Sequence, residues 1–169
     1  VMETLLDTTD SPQARKLFDS LSLDINNIPL SYYSENSFIN AVLSNKVKLC
    51  TEKGIATVVN ALVPADLAID EMDLCRALVN LIDNAMEASE CDSTGAKKEV
   101  CIDIFEKEGY LFIKTKNNAE MLLDETQKEK QAHGFGKKIL EELAKKYDGE
   151  YIIRMENNLV FTLLSLKSI

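Results

Sequence analysis

One stretch, Asp73 to Ser89 (DLCRALVNLIDNAMEAS), constrains the fold of this chain more than any other. At about 100° per residue, Leu74, Leu78, Leu81, Ile82, Ala85 and Ala88 fall on one broad apolar arc. Asp73, Arg76, Asn80, Asn84 and Glu87 fall on a narrower polar stripe. The pattern predicts an amphipathic helix with its apolar side against a larger body. Asparagine is a mediocre helix former, because its amide competes for nearby backbone groups. Two of them one turn apart, Asn80 and Asn84, therefore need a compensating role, and a bound ligand is the role expected here. On the wheel Asn84 stands nearest the apolar boundary, whereas Arg76 and Asp83 point further toward water.

The rest of the chain has to supply the body that this helix packs on. At 169 residues, 46% hydrophobic and 28% charged, it is long enough for one domain with a real core. The net charge of −9 argues against general nucleic-acid or anionic-membrane binding. No apolar run approaches the roughly 20 residues of a membrane helix. Cys50, Cys75, Cys91 and Cys101 form no CxxC pair, so free thiols in a reducing compartment are expected rather than a zinc site.

In chain order, Ala14, Leu17, Phe18 and Leu21 share one face of a short helix that starts near Ser11-Pro12 and ends before Asn26-Asn27. A loop follows, then a helical pattern from Phe38 to Glu52. The β-branched run Ile55 to Val63 reads as a strand. Asp70 is placed to cap the helix carrying the two asparagines, with Asp73 favouring its positive end. After a loop from Cys91 to Lys98, Val100–Phe105 and Tyr110–Lys116 read as a hairpin turned at Lys107-Glu108-Gly109. Asn117 to Ala132 reads as a polar loop. His133-Gly-Phe-Gly-Lys-Lys138 leads into a helix whose face is Ile139, Leu140, Leu143, Ala144 and Tyr147, ended by Asp148-Gly149. Tyr151–Met155 and Leu159–Leu166 form two last strands. Hairpins dominate this order, which predicts an α+β layer with helices on one face of a mixed, mostly antiparallel sheet.

Two places could carry chemistry. Gly134-Phe135-Gly136 comes just before a helix, where glycine allows backbone N–H groups to approach an anion and the helix N-terminus carries partial positive charge. Lys128, Lys130, His133, Lys137 and Lys138 gather cationic or donor groups around it in an otherwise acidic chain. Asn80 and Asn84 offer two neutral oxygens, a donor type that suits Mg²⁺ already surrounded by phosphate charge. Taken singly, the glycines read as a tight turn and the asparagines as surface residues.

Taken together, the two motifs resemble a known superfamily. NLIDNAMEAS is similar to the N box, and HGFGKKI to the second glycine box, of the GHKL ATPases, which include gyrase, the heat-shock chaperone, mismatch-repair ATPases and sensor histidine kinases. Ser37 through Ser89 and ETQKEKQAHGFGKKILEELAKKYDGEY further resemble the AgrC-like sensor kinases of peptide quorum sensing. The likeness spans about residues 30–169. It implies a Bergerat-type two-layer sandwich that binds ATP with Mg²⁺, with Asn84 and Asn80 contacting metal and phosphates. It also implies that Gly134, Phe135, Gly136 and His133 belong to the phosphate-holding box, and that Lys128 and Lys130 lie in the ATP lid. Asn117 stands where most of the superfamily has the Asp that reads the adenine amino group, and the AgrC-like group tends to have Asn there. The sequence departs from the pattern in three ways: NAEML replaces the glycines after that position, Lys137 replaces a common Leu, and Glu87 sits near a position often basic. Arg76 stands four before Asn80, where a gyrase-like ATPase would carry a catalytic Glu.

The expected function is the catalytic portion of a two-component sensor histidine kinase, residues 28–169, preceded at 1–27 by the end of a dimerisation helix or linker. It would transfer the γ-phosphoryl group of ATP to a histidine outside this chain, since His133, the only histidine, belongs to the nucleotide box. Expected partners are the dimerisation and phosphoacceptor segment, a response regulator and a second copy in the full-length protein, in the cytoplasmic part of a membrane-bound sensor. The alternatives are a degenerate GHKL module that binds nucleotide or partner without transfer, and an anti-sigma-type serine kinase.

Overall fold

The computed structural model describes residues 12–24, 32–92, 95–119 and 134–169. Lys128, Lys130 and His133 lie outside the described residues. Nine elements follow in order: α1 (Pro12–Asp24), α2 (Ser37–Glu52), β1 (Ala56–Leu62), α3 (Glu71–Glu90), β2 (Glu99–Lys107), β3 (Tyr110–Asn118), α4 (Gly134–Lys146), β4 (Tyr151–Glu156) and β5 (Leu159–Lys167). The order and types match the sequence reading, with most ends shifted by a residue or two; α4 starts earlier than expected, so Gly134-Phe135-Gly136 lies in its first turn rather than before it.

The strands form one sheet in the order β1-β2-β3-β5-β4. β2 pairs antiparallel with β3 around the turn at Glu108 and Gly109, and β3–β5 and β5–β4 are antiparallel as well. β1 pairs parallel with β2, from Ala56↔Glu99 to Leu62↔Phe105, which makes the sheet mixed. A parallel pair needs a crossover, and α3 supplies it. The helix with the two asparagines is therefore anchored at both ends by neighbouring strands.

Alternation along β2 and β3 sends Val100, Ile102, Ile104, Leu111 and Ile113 into the helix side, where all are at most 1% exposed. There they meet Leu74, Leu78, Leu81 and Ile82 of α3 and Ile39, Val42 and Leu43 of α2, in one core. α1 packs on the same core through Ala14 and Leu21, and its Phe18 ring lies 5.8 Å from that of Phe38. The opposite sheet face is open: Phe105 stacks on Phe112 at 5.2 Å and Lys114 caps Phe105, while Val58 and Phe161 are exposed. Helices thus cover one face only, as expected.

Capping fixes where α3 begins. The Asp70 carboxylate accepts from the Met72 and Asp73 N–H groups at 3.0 and 3.1 Å. Asp148-Gly149 ends α4, as the sequence reading expects. Asp148 itself takes the left-handed conformation, at φ 46°. Gly149 is required by proximity, since a Cβ there would overlap the Ser165 carbonyl oxygen. The Gly149 N–H donates to the Ala144 carbonyl at 2.8 Å, and the Ser165 N–H to the Glu150 carbonyl at 2.9 Å, joining the end of α4 to β5.

Candidate functional site

The polar stripe of α3 is divided between two neighbours. On one side it faces α2. There Lys46 Nζ lies 2.6 Å from Asp83 Oδ1, with the lysine side chain 7% exposed and the aspartate 24%. Asp83 therefore does not point to water, as the helical wheel suggested; a buried ammonium needs a carboxylate, and α2 brings one within reach. Glu87 borders the same groove, with Lys53 and Glu90, whose side chains pair at 2.8 Å.

On the other side the stripe faces α4, which runs antiparallel to α3. Asp73 is buried and accepts from Lys146 Nζ and, at 2.8 Å, from the Tyr147 hydroxyl. The Arg76 guanidinium lies 3.4 Å from its other oxygen, so Arg76 is turned along the helix rather than fully outward. The hydrogen bond to Asp73 raises the Lys146 pKa above its usual 10.5. Burial, helped by the same carboxylate, raises Tyr147 above 10.0. Burial also pushes the Cys50 and Cys75 thiols up to about 11, so the free-thiol reading holds for them as inert core residues. Cys91 is exposed instead, at the end of α3.

The amides of Asn80 and Asn84 are turned toward the start of α4. Asn80 Nδ2 donates to the Arg76 carbonyl at 2.7 Å, which fixes the amide and leaves Oδ1 directed at α4. A Cβ on Gly136 would sit 3.3 Å from Asn80 Oδ1, 3.4 Å from Asn84 Oδ1 and 3.6 Å from Asn84 Nδ2. The bare Cα of Gly136 is what lets the first turn of α4 lie beside both amides. N–H groups of a helix's first turn have no acceptor within the helix. Two amide oxygens and the positive end of a helix thus converge, a donor set that fits a phosphate group and its Mg²⁺. Lys137 and Lys138 do not take part. They pair along the exposed side of α4 with Glu141 and Glu142, at 3.7 and 3.9 Å. Among the described residues no cluster of three His, Cys, Asp or Glu side chains could hold a metal by itself.

Asn117 is buried on the helix side at the end of β3, and its Nδ2 donates to the Asn118 carbonyl at 2.9 Å. The Ser89 hydroxyl reaches that same carbonyl at 3.4 Å, which sets the last turn of α3 on this end of β3. Asn117 is opposite Val160, and Val160 opposite Met155. One step along, Thr115 and Thr162 share a hydroxyl–hydroxyl hydrogen bond of 2.8 Å, with Ile153 beyond. Ile153 and Met155 are 56% and 39% exposed, so the helix side of the sheet becomes an open apolar shelf here. Of the residues expected at the site, Asn80, Asn84 and Gly136 meet directly, Gly134 and Phe135 contribute backbone of the same helix turn, and Asn117 floors the adjacent shelf.

Sequence reasoning missed the side chains that hold this arrangement, Lys46, Lys146 and Tyr147. Lys46 did leave a signal. It falls on the apolar face of α2 with Ile39, Val42 and Cys50, and a cation at such a position calls for a buried anion.

Comparison with known proteins agrees with this geometry. A family model described as a GHKL domain matches residues 69–167. No curated protein sequence matches the chain. The solved catalytic domain of histidine kinase ThkA is similar at 17% identity and a TM-score of 0.60, covering 83% of this chain and 97% of that one. A histidine kinase from Burkholderia phymatum is similar at 12% identity and a TM-score of 0.60, over 99% of this chain and 85% of that one. The histidine kinase domain of the Erythrobacter litoralis blue-light activated kinase is 12% identical with a TM-score of 0.63, over 94% and 75%. At such identities the likeness is one of fold, and the fold is that of histidine kinase catalytic domains. With the family model spanning most of the chain and its two motifs meeting at Gly136, this chain belongs to the GHKL family.

Proposed function

We propose that this chain is the ATP-binding catalytic portion of a sensor histidine kinase of the AgrC-like group, passing the γ-phosphoryl group of ATP to a histidine outside it. The observation that carries the reading is Gly136 seated against Asn80 and Asn84. That contact brings oxygen donors and a helix N-terminus to one point, where a polyphosphate can be held. Phosphoryl transfer asks a protein mainly for positioning and charge neutralisation. Asn84 and Asn80 supply metal and phosphate contacts, and the amides of Gly134, Phe135 and Gly136 supply fixed donors. Bound Mg²⁺ would neutralise phosphate charge there, held by Asn84 and Asn80 together with phosphate oxygens. Asn117 Oδ1 accepts from the adenine amino group, with the shelf of Val160 and Met155 beside the ring. Lys128, Lys130 and His133 take the lid and glycine-box roles that the resemblance implies. Arg76 in place of a glutamate disfavours water as the nucleophile and suits transfer to an acceptor side chain.

In this reading residues 1–27 are the end of a dimerisation helix or linker and residues 28–169 the catalytic domain. The partners are the phosphoacceptor segment of the same kinase, a response regulator and a second kinase copy, on the cytoplasmic side of a membrane-bound sensor. Among the described residues no helix is long and apolar enough to cross a membrane. A second reading, a nucleotide- or partner-binding module without transfer, is favoured by one feature. NAEML follows Asn117 in place of the expected glycines, and the strand continues through Asn118, with the Ala119 N–H donating to the Asn158 carbonyl at 3.0 Å.

Titration of the chain and of Asn84→Ala with a fluorescent ATP analogue, with and without Mg²⁺, tests the proposal. The native chain should bind with a Mg²⁺-dependent gain, and the variant should lose about tenfold or more of it, the scale of a disturbed metal site. Equal binding by both would remove the metal role of Asn84. No binding at millimolar nucleotide would remove the nucleotide reading itself. Phosphate transfer onto the supplied acceptor segment then separates kinase from module, and phosphoamino-acid analysis separates histidine from serine transfer.

A further inference from the structure

α3 and α4 pack on each other and share one apolar core that includes Leu74, Leu78, Leu140 and Leu143. Apolar burial is non-directional. It holds the two helices together but sets their register along the axis only weakly; the Lys167 N–H, donating to the Tyr147 carbonyl at 2.8 Å, ties the end of α4 to β5, and only polar groups tie it directionally to α3. At one end of the contact lies Gly136 against Asn80 and Asn84. At the other, about 15 Å of helix away, lies a polar clasp. Asp73, with its side chain 5% exposed, accepts from Lys146 and Tyr147. The Tyr147 hydroxyl in turn accepts from the Asp70 N–H at 3.2 Å, on the capping residue of α3. The Lys146 side chain is 59% exposed, so the part shielded from water is the Asp73 carboxylate with its bond from the half-buried Tyr147 hydroxyl, and a buried polar group of that kind is costly to misalign.

We propose that Asp73, Lys146 and Tyr147 are positioning residues for the phosphate end of the site: they set how far α4 reaches along α3, and so how closely its first turn approaches Asn80 and Asn84. The inference rests on the reading of that end as the phosphate site. The clasp itself touches no ligand.

The triple variant Asp73→Leu/Lys146→Met/Tyr147→Phe tests it. Apolar groups of similar volume replace Asp73 and its two partners from α4; Arg76, 3.4 Å from Asp73, loses this contact as well, so the urea midpoint of the variant is measured first and both readouts are taken well below its unfolding transition. Two readouts are taken on both proteins. The first is the nuclear Overhauser contact between the Gly136 α-protons and the Asn84 side-chain amide, which should weaken in the variant. The second is the ratio of Mg-ATP affinity to adenosine affinity. This ratio should fall about tenfold, the scale for partners that orient ligands without touching the bound group, while adenosine binding stays level. A folded variant with the Gly136–Asn84 contact at native strength overturns the proposal, as does an unchanged ratio. If the native chain binds no Mg-ATP, the phosphate reading fails, and the proton contact still decides whether the clasp sets the register. Should the triple variant not fold, Tyr147→Phe, which removes a single hydroxyl, is measured in the same way with a smaller shift of the same sign expected.

Discussion

The fold treats two kinds of polar side chain on helix α3 differently. Its carboxylates at Asp73 and Asp83 are each engaged by a lysine from another helix, Lys146 of α4 and Lys46 of α2. Its amides at Asn80 and Asn84 stay uncharged and face the start of α4. A free carboxylate at either amide position would repel phosphate. Neutral oxygens at Asn80 and Asn84, with the carboxylates of Asp73 and Asp83 paired to lysines, leave a ligand end compatible with an anion. Under the proposed function, the paired charges at Asp73 and Asp83 serve assembly and the two neutral amides serve the site.

The largest effect expected from breaking this division is on stability. Asp83→Ala would leave the Lys46 ammonium buried without its partner and should cost about 3 kcal/mol, read as a lower urea midpoint with an unchanged slope. Nucleotide affinity measured well below the unfolding transition should be nearly native. If Asp83→Ala is as stable as the parent, the pair is not the structural element described here.

Gly136→Ala probes the amide side with the opposite signature. Alanine favours helix over glycine by up to about 1 kcal/mol, so the unliganded protein should be as stable or slightly more so. The added methyl meets Asn80 and Asn84 at 3.3 to 3.4 Å, so these side chains must shift. Mg-ATP affinity should fall about tenfold, about 1.4 kcal/mol. Calorimetry gives both numbers on one sample; a stabilised variant with native affinity would show that the approach is not needed for binding.

The mildest effect is on pH. Tyr147 and Lys146 start from 10.0 and 10.5 and are raised by folding, and Cys50 and Cys75 rise from 9.0 to about 11. Each holds its proton more tightly folded than unfolded. Their contributions are therefore complete below pH 9 and are lost as pH rises through the folded values. The urea midpoint should be flat from neutrality to about pH 9 and then fall. In Tyr147→Phe the fall should be shallower, and a midpoint that rises above pH 9 would contradict the assignment.

Much of this was legible in the sequence because it is local. The period of Asp73–Ser89, the alternation of Val100–Phe105 and Tyr110–Lys116, and the Asp70 cap depend on neighbours in the chain. The pairing of the two motifs was reached through resemblance; neither periodicity nor spacing places Gly136 beside Asn84. What was not legible is long-range choice of partner. Asp83 reads as water-facing until α2 brings Lys46 across, and Asp73 reads as a helix-end charge until α4 folds back with Lys146. The parallel pairing of β1 with β2 was hidden for the same reason, since β1 looks alike beside any neighbour.

One consequence follows from Gly149. Its lack of a side chain lets the chain end of α4 press on the Ser165 carbonyl, so that end is pinned to the sheet. The 13-residue helix is then a lever about 20 Å long, with its fulcrum at β5 and its tip at the two asparagines. Each 5° of tilt moves the tip by about 1.7 Å on that length, roughly the difference between a hydrogen bond and a gap that water can fill.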